Sequence, residues 1–176
     1  MIVPALMRQD EVQQCFARTW HNEKYKYFYC GRHFIPEFPT TEDCTRQLIS
    51  IDNYGNILGY ISYDFDLLVK SAHSFGLINF GSKSPTFSRD MLQVVDDIFM
   101  KYNFNKMNYR VVSGNPIEGA YRRLCEQCNG RIAAVFKDDV WISDNTIHDC
   151  IDFEIMRSDY IQSPMFQRLH TLDSKE

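Results

Sequence analysis

The sequence lacks the features that mark several large classes of protein. Nowhere do roughly 18 or more apolar residues run together, so no membrane-spanning helix and no membrane partner are expected. The 19 basic residues form no long block and face 23 acidic residues, giving a net charge of −4, which argues against nucleic acid as a partner. Linkers rich in glycine, serine or proline and internal repeats are also missing, so the 176 residues predict one domain, 1–176.

A secretion signal and a disulfide framework are not indicated either. The first residues, MIVPALMRQDEVQQ, turn polar after about seven positions, too early for the apolar core of a signal peptide. Six cysteines are scattered along the chain, which favours reduced thiols and a cytoplasmic location. Cys125 and Cys128 have a spacing that zinc sites use, but no second pair completes a site, so no metal is expected.

What the sequence does contain is an alternation of strand and helix patterns. Hydrophobic residues make up 44% of the chain, enough for a sizeable core. The patterns predict, in order, a strand at 2–7, a helix over 8–20, an aromatic segment of loops or short helices over 24–39, a hairpin over 47–65 that turns at 53–56, a strand at 73–80, a helix over 87–102, a strand at 106–112, a helix over 117–128, and a hairpin over 131–156 that turns near 144–145. This order predicts an α/β domain, a mixed α+β arrangement, whose ligand lies at strand ends where neighbouring strands diverge.

The segment NPIE, from Asn115 to Glu118, joins a strand to a helix. Asparagine is a favoured N-cap, proline is favoured at the first helical position, and Glu118 is spaced to reach back to the Asn115 amide, so helix capping explains all four residues. The position adds a functional interpretation. A helix that begins at the end of a central strand offers polar amides and a partial positive charge to a ligand, and Tyr121 lies about one and a half turns further along.

A second strand-to-helix corner, FGSKSPTF, occupies residues 80–87. Hydroxyl and amide groups at such a corner can hold the phosphates of an elongated cofactor. Spacing alone also allows an ordinary solvated loop with a serine or threonine cap.

Four segments together resemble one family. They are NYGNILGYISYD, LINFGSKSPTFSRDMLQVVDDIF, MNYRVVSGNPIEGAYRRL and VFKDDVWISDNTIHDCIDFEIMRSDY, which lie between residues 47 and 160. In their order and in the asparagine corner followed by a tyrosine-bearing helix, they are similar to the GNAT family of acyl-CoA-dependent N-acetyltransferases. The resemblance implies a central, mixed but mostly antiparallel sheet of about seven strands, splayed between the fourth and fifth strands and flanked by helices.

The resemblance also implies an activity and a site. The expected reaction moves an acetyl group from acetyl-CoA, a co-substrate, to a primary amine of a small molecule or protein by direct attack, with Tyr121 protonating the departing thiolate and without a metal. The residues that the resemblance assigns to cofactor binding, in part through backbone groups, are Ile78, Asn79, Phe80, Ser82, Lys83, Phe87, Ser88, Arg89 and Asn115.

A base must take a proton from the attacking ammonium, because only the neutral amine is nucleophilic. Asp64 and Asp66, near the end of the hairpin, and His73, at the start of the next strand, are the nearest candidates by topology, and water is an alternative. The aromatic segment after the first helix would overhang the acceptor site and help select the amine.

Two departures from the family pattern keep other interpretations open. The phosphate loop of the family carries glycines, whereas SKSPTFSRD has none after Gly81, and Gly130 follows the tyrosine later than is usual. A binding or regulatory module with weakened cofactor binding is therefore the alternative function, and an unrelated nucleotide-binding domain a third. The acceptor amine and the oligomeric state stay open, and a homodimer is allowed.

Overall fold

A sheet of seven strands organises the part of the chain that the computed structural model describes, residues 1–29, 34–38, 44–81 and 84–172. The strands are β1 Ile2–Pro4, β2 Thr45–Ile51, β3 Ile57–Asp66, β4 Ser71–Asn79, β5 Lys106–Val112, β6 Arg131–Trp141 and β7 Ile147–Met156. Their order across the sheet is β1-β2-β3-β4-β5-β7-β6. All neighbours are antiparallel except β4 and β5, which are parallel. The predicted mostly antiparallel, seven-stranded α+β sheet is confirmed.

Helices cover both faces of this sheet. They are α1 Gln9–Ala17, α2 Lys26–Tyr29, α3 Pro85–Asp96, α4 Glu118–Gln127, α5 Arg157–Tyr160 and α6 Pro164–Leu172, and α3 continues as a π-helix over Asp97–Lys101. Among the described helices none combines the length and the apolar character that a membrane span needs.

Two hydrophobic cores lie on opposite faces because side chains alternate along a strand. On β3, Ile61 packs into the larger core with α3 and α4, whereas its neighbour Tyr60 packs into the smaller core with α1. Val12 and Phe16 of α1 are fully buried in that smaller core. The predicted amphipathic face of the first helix is therefore present, although Trp20 lies beyond its end and is only partly buried.

The strand boundaries follow the sequence patterns closely, with one clear exception. Strand β5 spans the predicted residues 106–112, and the last hairpin turns at Asp144 and Asn145 as predicted. The first strand, predicted over 2–7, ends at Pro4 instead and continues as a 3₁₀ turn, Ala5–Arg8. Proline has no backbone N–H to donate to a ladder, which explains the early end.

Strands β4 and β5 separate part-way along their length. They pair at Ser71↔Lys106, Ala72↔Met107 and Phe75↔Tyr109, and the pairing stops there although both strands continue. Ser74, with φ of 55°, interrupts the register of β4 just before the separation. The predicted splay between the fourth and fifth strands is therefore present.

Gly59 on β3 makes the packing of α3 against the sheet possible. A Cβ atom there would lie 2.5 Å from Cε2 of Phe87 and 2.6 Å from the carbonyl oxygen of Ile78. The Ile78 oxygen belongs to the backbone of a packed strand, so it cannot move aside as a flexible side chain can.

We expect Gly59→Ala to lower the free energy of unfolding by about 1–3 kcal/mol, because the added methyl group overpacks this contact. Gly119→Ala is the matched control: its Cβ would meet only Arg123 Nη1 at 3.6 Å, and alanine in a helix should raise stability by about 0.4–1 kcal/mol. Urea unfolding monitored by circular dichroism measures both, and equal midpoints for the two variants would contradict this account.

Candidate active site

The separation of β4 and β5 opens a cleft of about 300 Å³. Residues 74–77 of β4 and 110–112 of β5 form its sides, and Tyr27, Asn115 and Tyr121 also line it. We call this space the central cleft. It lies at the strand ends, where the sequence pattern predicts a ligand site.

Two further cavities adjoin the central cleft, one on each side. The Asn115 pocket, of about 170 Å³, includes Lys24 and Asn79 in its lining and shares Tyr27, Leu77 and Asn115 with the cleft. The Arg110 groove, of about 470 Å³, is lined by His73, Ser74, Asn108, Tyr109, Arg110 and Asp152, and shares Ser74 and Arg110 with the cleft. The three spaces share lining residues of β4 or β5, and together we call them the passage.

Strand β4 presents alternate backbone groups to this passage. The amide of Phe80 donates to the carbonyl of Leu58 on β3 at 3.1 Å, and Tyr60 pairs with Ile78 in the same ladder. Because antiparallel pairs alternate, the backbone groups of Leu77 and Asn79 point away from β3, towards the space that β5 has left. The Asn79 carbonyl accepts a hydrogen bond from the Tyr25 hydroxyl at 2.9 Å, as this geometry requires.

Tyr121 lines the central cleft and is held there by its neighbours. Its ring meets that of Tyr109 edge-on at 5.0 Å, and the Tyr109 hydroxyl donates to the Tyr121 carbonyl at 3.2 Å. Burial raises the pKa of Tyr121 well above its usual value, and a hydrogen bond from the Leu77 backbone acts in the opposite direction. The Leu77 amide thus donates to the Tyr121 hydroxyl, and the proton of that hydroxyl is left for donation to a ligand in the cleft.

The predicted capping box at Asn115 is replaced by a different arrangement of hydrogen bonds. Helix α4 begins at Glu118 rather than at Pro116, and the Glu118 carboxylate accepts from the Gly114 amide at 3.0 Å instead of from the Asn115 amide. The Asn115 amide already donates to the Val112 carbonyl at 3.1 Å, which leaves Gly114 as the free donor. The Gly114 amide, followed by Arg122, holds the pKa of Glu118 below its usual range.

The Asn115 side chain has donors to spare within this cap. Its Oδ1 accepts from the Ile117 amide at 3.1 Å, whereas no described residue accepts a hydrogen bond from its Nδ2. Gly114, with φ of 86°, brings the backbone close to Tyr27, whose hydroxyl would lie 3.3 Å from an added Cβ. This turn therefore needs glycine and places Asn115 at the junction of the central cleft and the Asn115 pocket.

Three residues predicted to bind the cofactor also make structural contacts. Ile78 is buried in the smaller core and lines the Asn115 pocket, and the ring of Phe80 packs edge-on against Phe16 at 5.2 Å. The Phe87 amide donates to the Ser84 hydroxyl at 3.2 Å, so Ser84 caps α3 and occupies the amide that was expected to bind phosphate. The backbone of Leu77 and Asn79, rather than that of Ile78 and Phe80, faces the passage.

The other predicted phosphate ligands lie on or before the first turn of α3. Ser88 and Arg89 are exposed there, and the Ser88 hydroxyl donates to the Ser84 carbonyl at 3.2 Å. Ser82 and Lys83 fall outside the described residues.

One of the three candidate bases, His73, lines the Arg110 groove, and its Nδ1 is 4.0 Å from Oδ2 of Asp64. Asp64 also accepts from the Thr45 hydroxyl at 2.8 Å. Asp66 has a structural task, because its carboxylate accepts from the amides of Leu68 and Val69 and caps the turn between β3 and β4.

The two closely spaced cysteines are buried thiols. Burial raises the pKa of Cys125, and that of Cys128 to about 12, which favours the protonated form. Among the described residues no group of three or more histidine, cysteine or acidic side chains could hold a metal ion.

Helix α2 is tied to the last hairpin across the mouth of the cleft. Lys26 Nζ lies 2.7 Å from Oδ2 of Asp144, and the rings of Tyr27 and His148 meet edge-on at 5.5 Å. His148 Nδ1 lies 2.8 Å from the Ser113 carbonyl. The aromatic segment contributes Tyr27 and Phe28 to the lining of the cleft, whereas residues 30–33 and 39 of that segment lie outside the described residues.

Sequence reasoning missed Lys24, Arg110 and His148. Lys24 and His148 lie far along the chain from the residues they meet, and an isolated lysine or histidine carries no periodic signal. Arg110 lies in the predicted fifth strand, where its exposed position matched an ordinary surface residue.

Comparisons with known proteins agree with this geometry at the level of the fold. No model of a protein family matches the sequence, and no curated protein is detectably similar to it. Among solved structures, a spermidine N-acetyltransferase from Vibrio cholerae in complex with CoA and spermine is similar over 92% of this chain and 97% of its own, with a TM-score of 0.68 and 16% identity. The chain has the GNAT fold.

Other structures with the GNAT fold support the same assignment. A chimera of the Vibrio cholerae spermidine N-acetyltransferase SpeG and hSSAT is similar over 92% of this chain and 98% of its own, with a TM-score of 0.68 and 12% identity. A second chimera of the same two proteins is similar over 69% of this chain and 73% of its own, with a TM-score of 0.57 and 20% identity. The resemblance in fold that the sequence indicated is confirmed.

The ion pair that ties α2 to the hairpin should be visible in the titration of Asp144. Lys26, and then Thr146, lower the pKa of this carboxyl from 3.8 to about 2. Because the folded-state pKa is depressed, the ion pair contributes stability above about pH 4, and that contribution is lost as the pH falls through about 2.

We expect Lys26→Met to move the titration midpoint of the Asp144 carboxyl up from about 2 towards 3.8, measured by carbon NMR of the side chain. Lys137→Met is the control, because Lys137 pairs with Asp149 at 2.6 Å in the same hairpin and should leave Asp144 unchanged. An unchanged Asp144 midpoint in Lys26→Met would mean that Lys26 is not the cause.

Proposed function

We propose that the protein is an N-acetyltransferase that moves the acetyl group of acetyl-CoA to a primary amine. The observation that carries this proposal is the Tyr121 hydroxyl, held by the Leu77 amide in a cleft between separated strands. A hydrogen-bond donor fixed in a cleft stabilises negative charge that develops beside it, as on the leaving group in acyl transfer. A GNAT-fold protein that binds CoA and spermine gives the comparison on which the choice of co-substrate and acceptor is based.

The residues of the passage fit a pantetheine-like chain. Such a chain carries amide groups that need hydrogen-bond partners, and the Leu77 carbonyl, which points away from β3, and the Nδ2 of Asn115 can provide them. Val111, Val112 and Ile117 supply apolar contact along the same path. The expected weakness is at the phosphates, because the Phe87 amide is already bonded to Ser84.

Each proposed catalytic role belongs to a group of known position. When bound, acetyl-CoA supplies a thioester whose carbonyl carbon accepts the amine nitrogen directly, as the carbon–sulfur bond breaks. The Leu77 amide would exchange its bond to the Tyr121 hydroxyl for one to the carbonyl oxygen and so polarise it. Tyr121 gives its proton to the departing thiolate, and its raised pKa keeps that proton in place at neutral pH.

The proton lost by the amine leaves on the Arg110 side of the passage. His73 lines that groove and Asp64 lies 4.0 Å from it, so His73, supported by Asp64, accepts the proton either directly or through water. Ser74 lies between His73 and the central cleft and lines both spaces.

The charges of the groove favour a cationic acceptor. The Arg110 guanidinium lies 2.5 Å from Asp152 and 3.6 Å from Asp139, so one positive group faces two carboxylates. A polyamine, such as the spermine bound by the structural neighbour, carries positive charge that complements this excess of carboxylates. We therefore propose a small cationic amine as the acceptor, in a cytoplasmic setting.

A binding module that no longer transfers acetyl groups is the second candidate. The capped Phe87 amide and the lack of glycines after Gly81 in the β4–α3 connection favour it, since a phosphate loop of the family uses glycines to bring backbone amides around the phosphates.

The first test is cofactor binding together with turnover. We expect millimolar acetyl-CoA to raise the melting temperature, because a ligand that binds only the folded state stabilises it by mass action. Free thiol released in the presence of spermine or spermidine, followed with a thiol reagent, should report transfer. A thermal shift without thiol release would support the binding module, and the absence of both effects would contradict both candidates.

Tyr121→Phe tests the proposed acid. Removing one hydroxyl should lower kcat by about 10²-fold or more, the contribution usual for a positioned general acid, and should leave the Kd of CoA unchanged. Because the pKa of Tyr121 is raised, the wild-type rate should not decline on the alkaline side until well above pH 10, the ordinary value for tyrosine.

Tyr63→Phe is the matched control for this experiment. Tyr63 is buried in the larger core and is not part of the cleft lining, so its kcat should stay at the wild-type value. Equal rates for Tyr121→Phe and wild type would remove Tyr121 from the mechanism.

A further inference from the structure

The two ends of the passage carry opposite electrostatic character. At one end, the Arg110 groove contains Asp152, with Asp139 close to Arg110. At the other end, none of the described residues that line the Asn115 pocket is acidic, and Lys24 is among them. A ligand with one anionic end should therefore bind in one orientation, with its negative charges at the Asn115 pocket.

Lys24 is held at the place where such charges would lie. Its Nζ donates to the Gly81 carbonyl at 2.5 Å, 57 residues along the chain and three residues before the Ser84 cap of α3. An ammonium group has three donors, so two remain for a ligand after the bond to Gly81. The turn that carries Lys24 is itself fixed, because the Asn22 side chain accepts from the Lys24 amide at 3.0 Å.

The start of α3 adds to the positive charge at this end. The helix has 12 residues, and its N-terminus follows Gly81 closely, so its partial positive charge and the Lys24 ammonium act on the same region. The Phe87 amide at this helix start is already bonded to Ser84, and a side chain that reaches in from another part of the chain can supply charge in its place.

We propose that Lys24 binds the phosphate groups of CoA and thereby sets the direction in which the co-substrate enters the cleft. This inference rests on the proposed function, since it assumes that CoA is the ligand of the passage. Lys24 contacts the part of the ligand that does not react, so it contributes to binding and not to the chemical step.

The test compares a ligand that has the phosphates with one that lacks them. Isothermal titration calorimetry of CoA and of pantetheine against the whole protein measures both. Lys24→Ala should weaken CoA binding by about tenfold, in the range of one charge-assisted hydrogen bond, and leave pantetheine binding unchanged. Lys24→Arg should keep most of the affinity for CoA, and Lys24→Gln, which keeps a polar side chain of similar length, should behave like alanine.

Lys101→Ala is the matched control, since it removes the same charge from an exposed site at the end of the π-helix. In steady-state kinetics, Lys24→Ala should raise KM for acetyl-CoA with kcat unchanged, the pattern of a residue that binds both ground state and transition state. The melting temperature of each variant without ligand shows that it is folded.

The outcomes separate this inference from the function on which it rests. If the wild-type protein binds CoA and Lys24→Ala binds it equally well, the role of Lys24 is wrong and the proposed function stands. If Lys24→Ala loses pantetheine and CoA equally, Lys24 shapes the cleft rather than binding phosphate, and the inference is again wrong. If wild type binds no CoA, both proposals are overturned.

Discussion

The end of the ladder between β4 and β5 is the constraint from which the rest of the site follows. Beyond Phe75 and Tyr109 the strands no longer pair, so the backbone groups of β4 that would have faced β5 need other partners. The Tyr25 hydroxyl takes the Asn79 carbonyl, and Tyr121 adjoins the Leu77 amide. These hydrogen bonds hold the segment before α2 and the start of α4 against the cleft, and their side chains form part of its lining.

Charge then gives this cleft a direction. The Arg110 side collects carboxylates and the Lys24 side has none among its described lining residues, although both open into the same central space. An anionic co-substrate and a cationic acceptor would each be attracted to one end and repelled from the other. In the proposed reaction, the acetyl donor and the amine therefore meet in the central cleft without competing for the same entrance.

Most of the fold was predictable, because periodicity and turn chemistry are local signals. The bounds of β5, the turn at Asp144 and the order of elements all come from such patterns. The candidate site was predictable only in part: Asn115 and Tyr121 line the cleft, whereas the Phe87 amide is used by Ser84. Which backbone amide stays free depends on the competition among neighbours, as at Gly114, where Glu118 binds because Asn115 is already bonded to Val112.

The position of β7 has a consequence for the order in which the site can form. Although β7 is the last strand in the chain, it lies between β5 and β6 and pairs with all seven residues of β5. During synthesis, the edge of β5 that binds β7 therefore stays unpaired until β6, the final turn and β7 have left the ribosome. The wall of the cleft that carries Val111 and Val112 is braced only when nearly all of the described chain has been made, so a truncated product would expose an unpaired strand where the finished protein has its cleft.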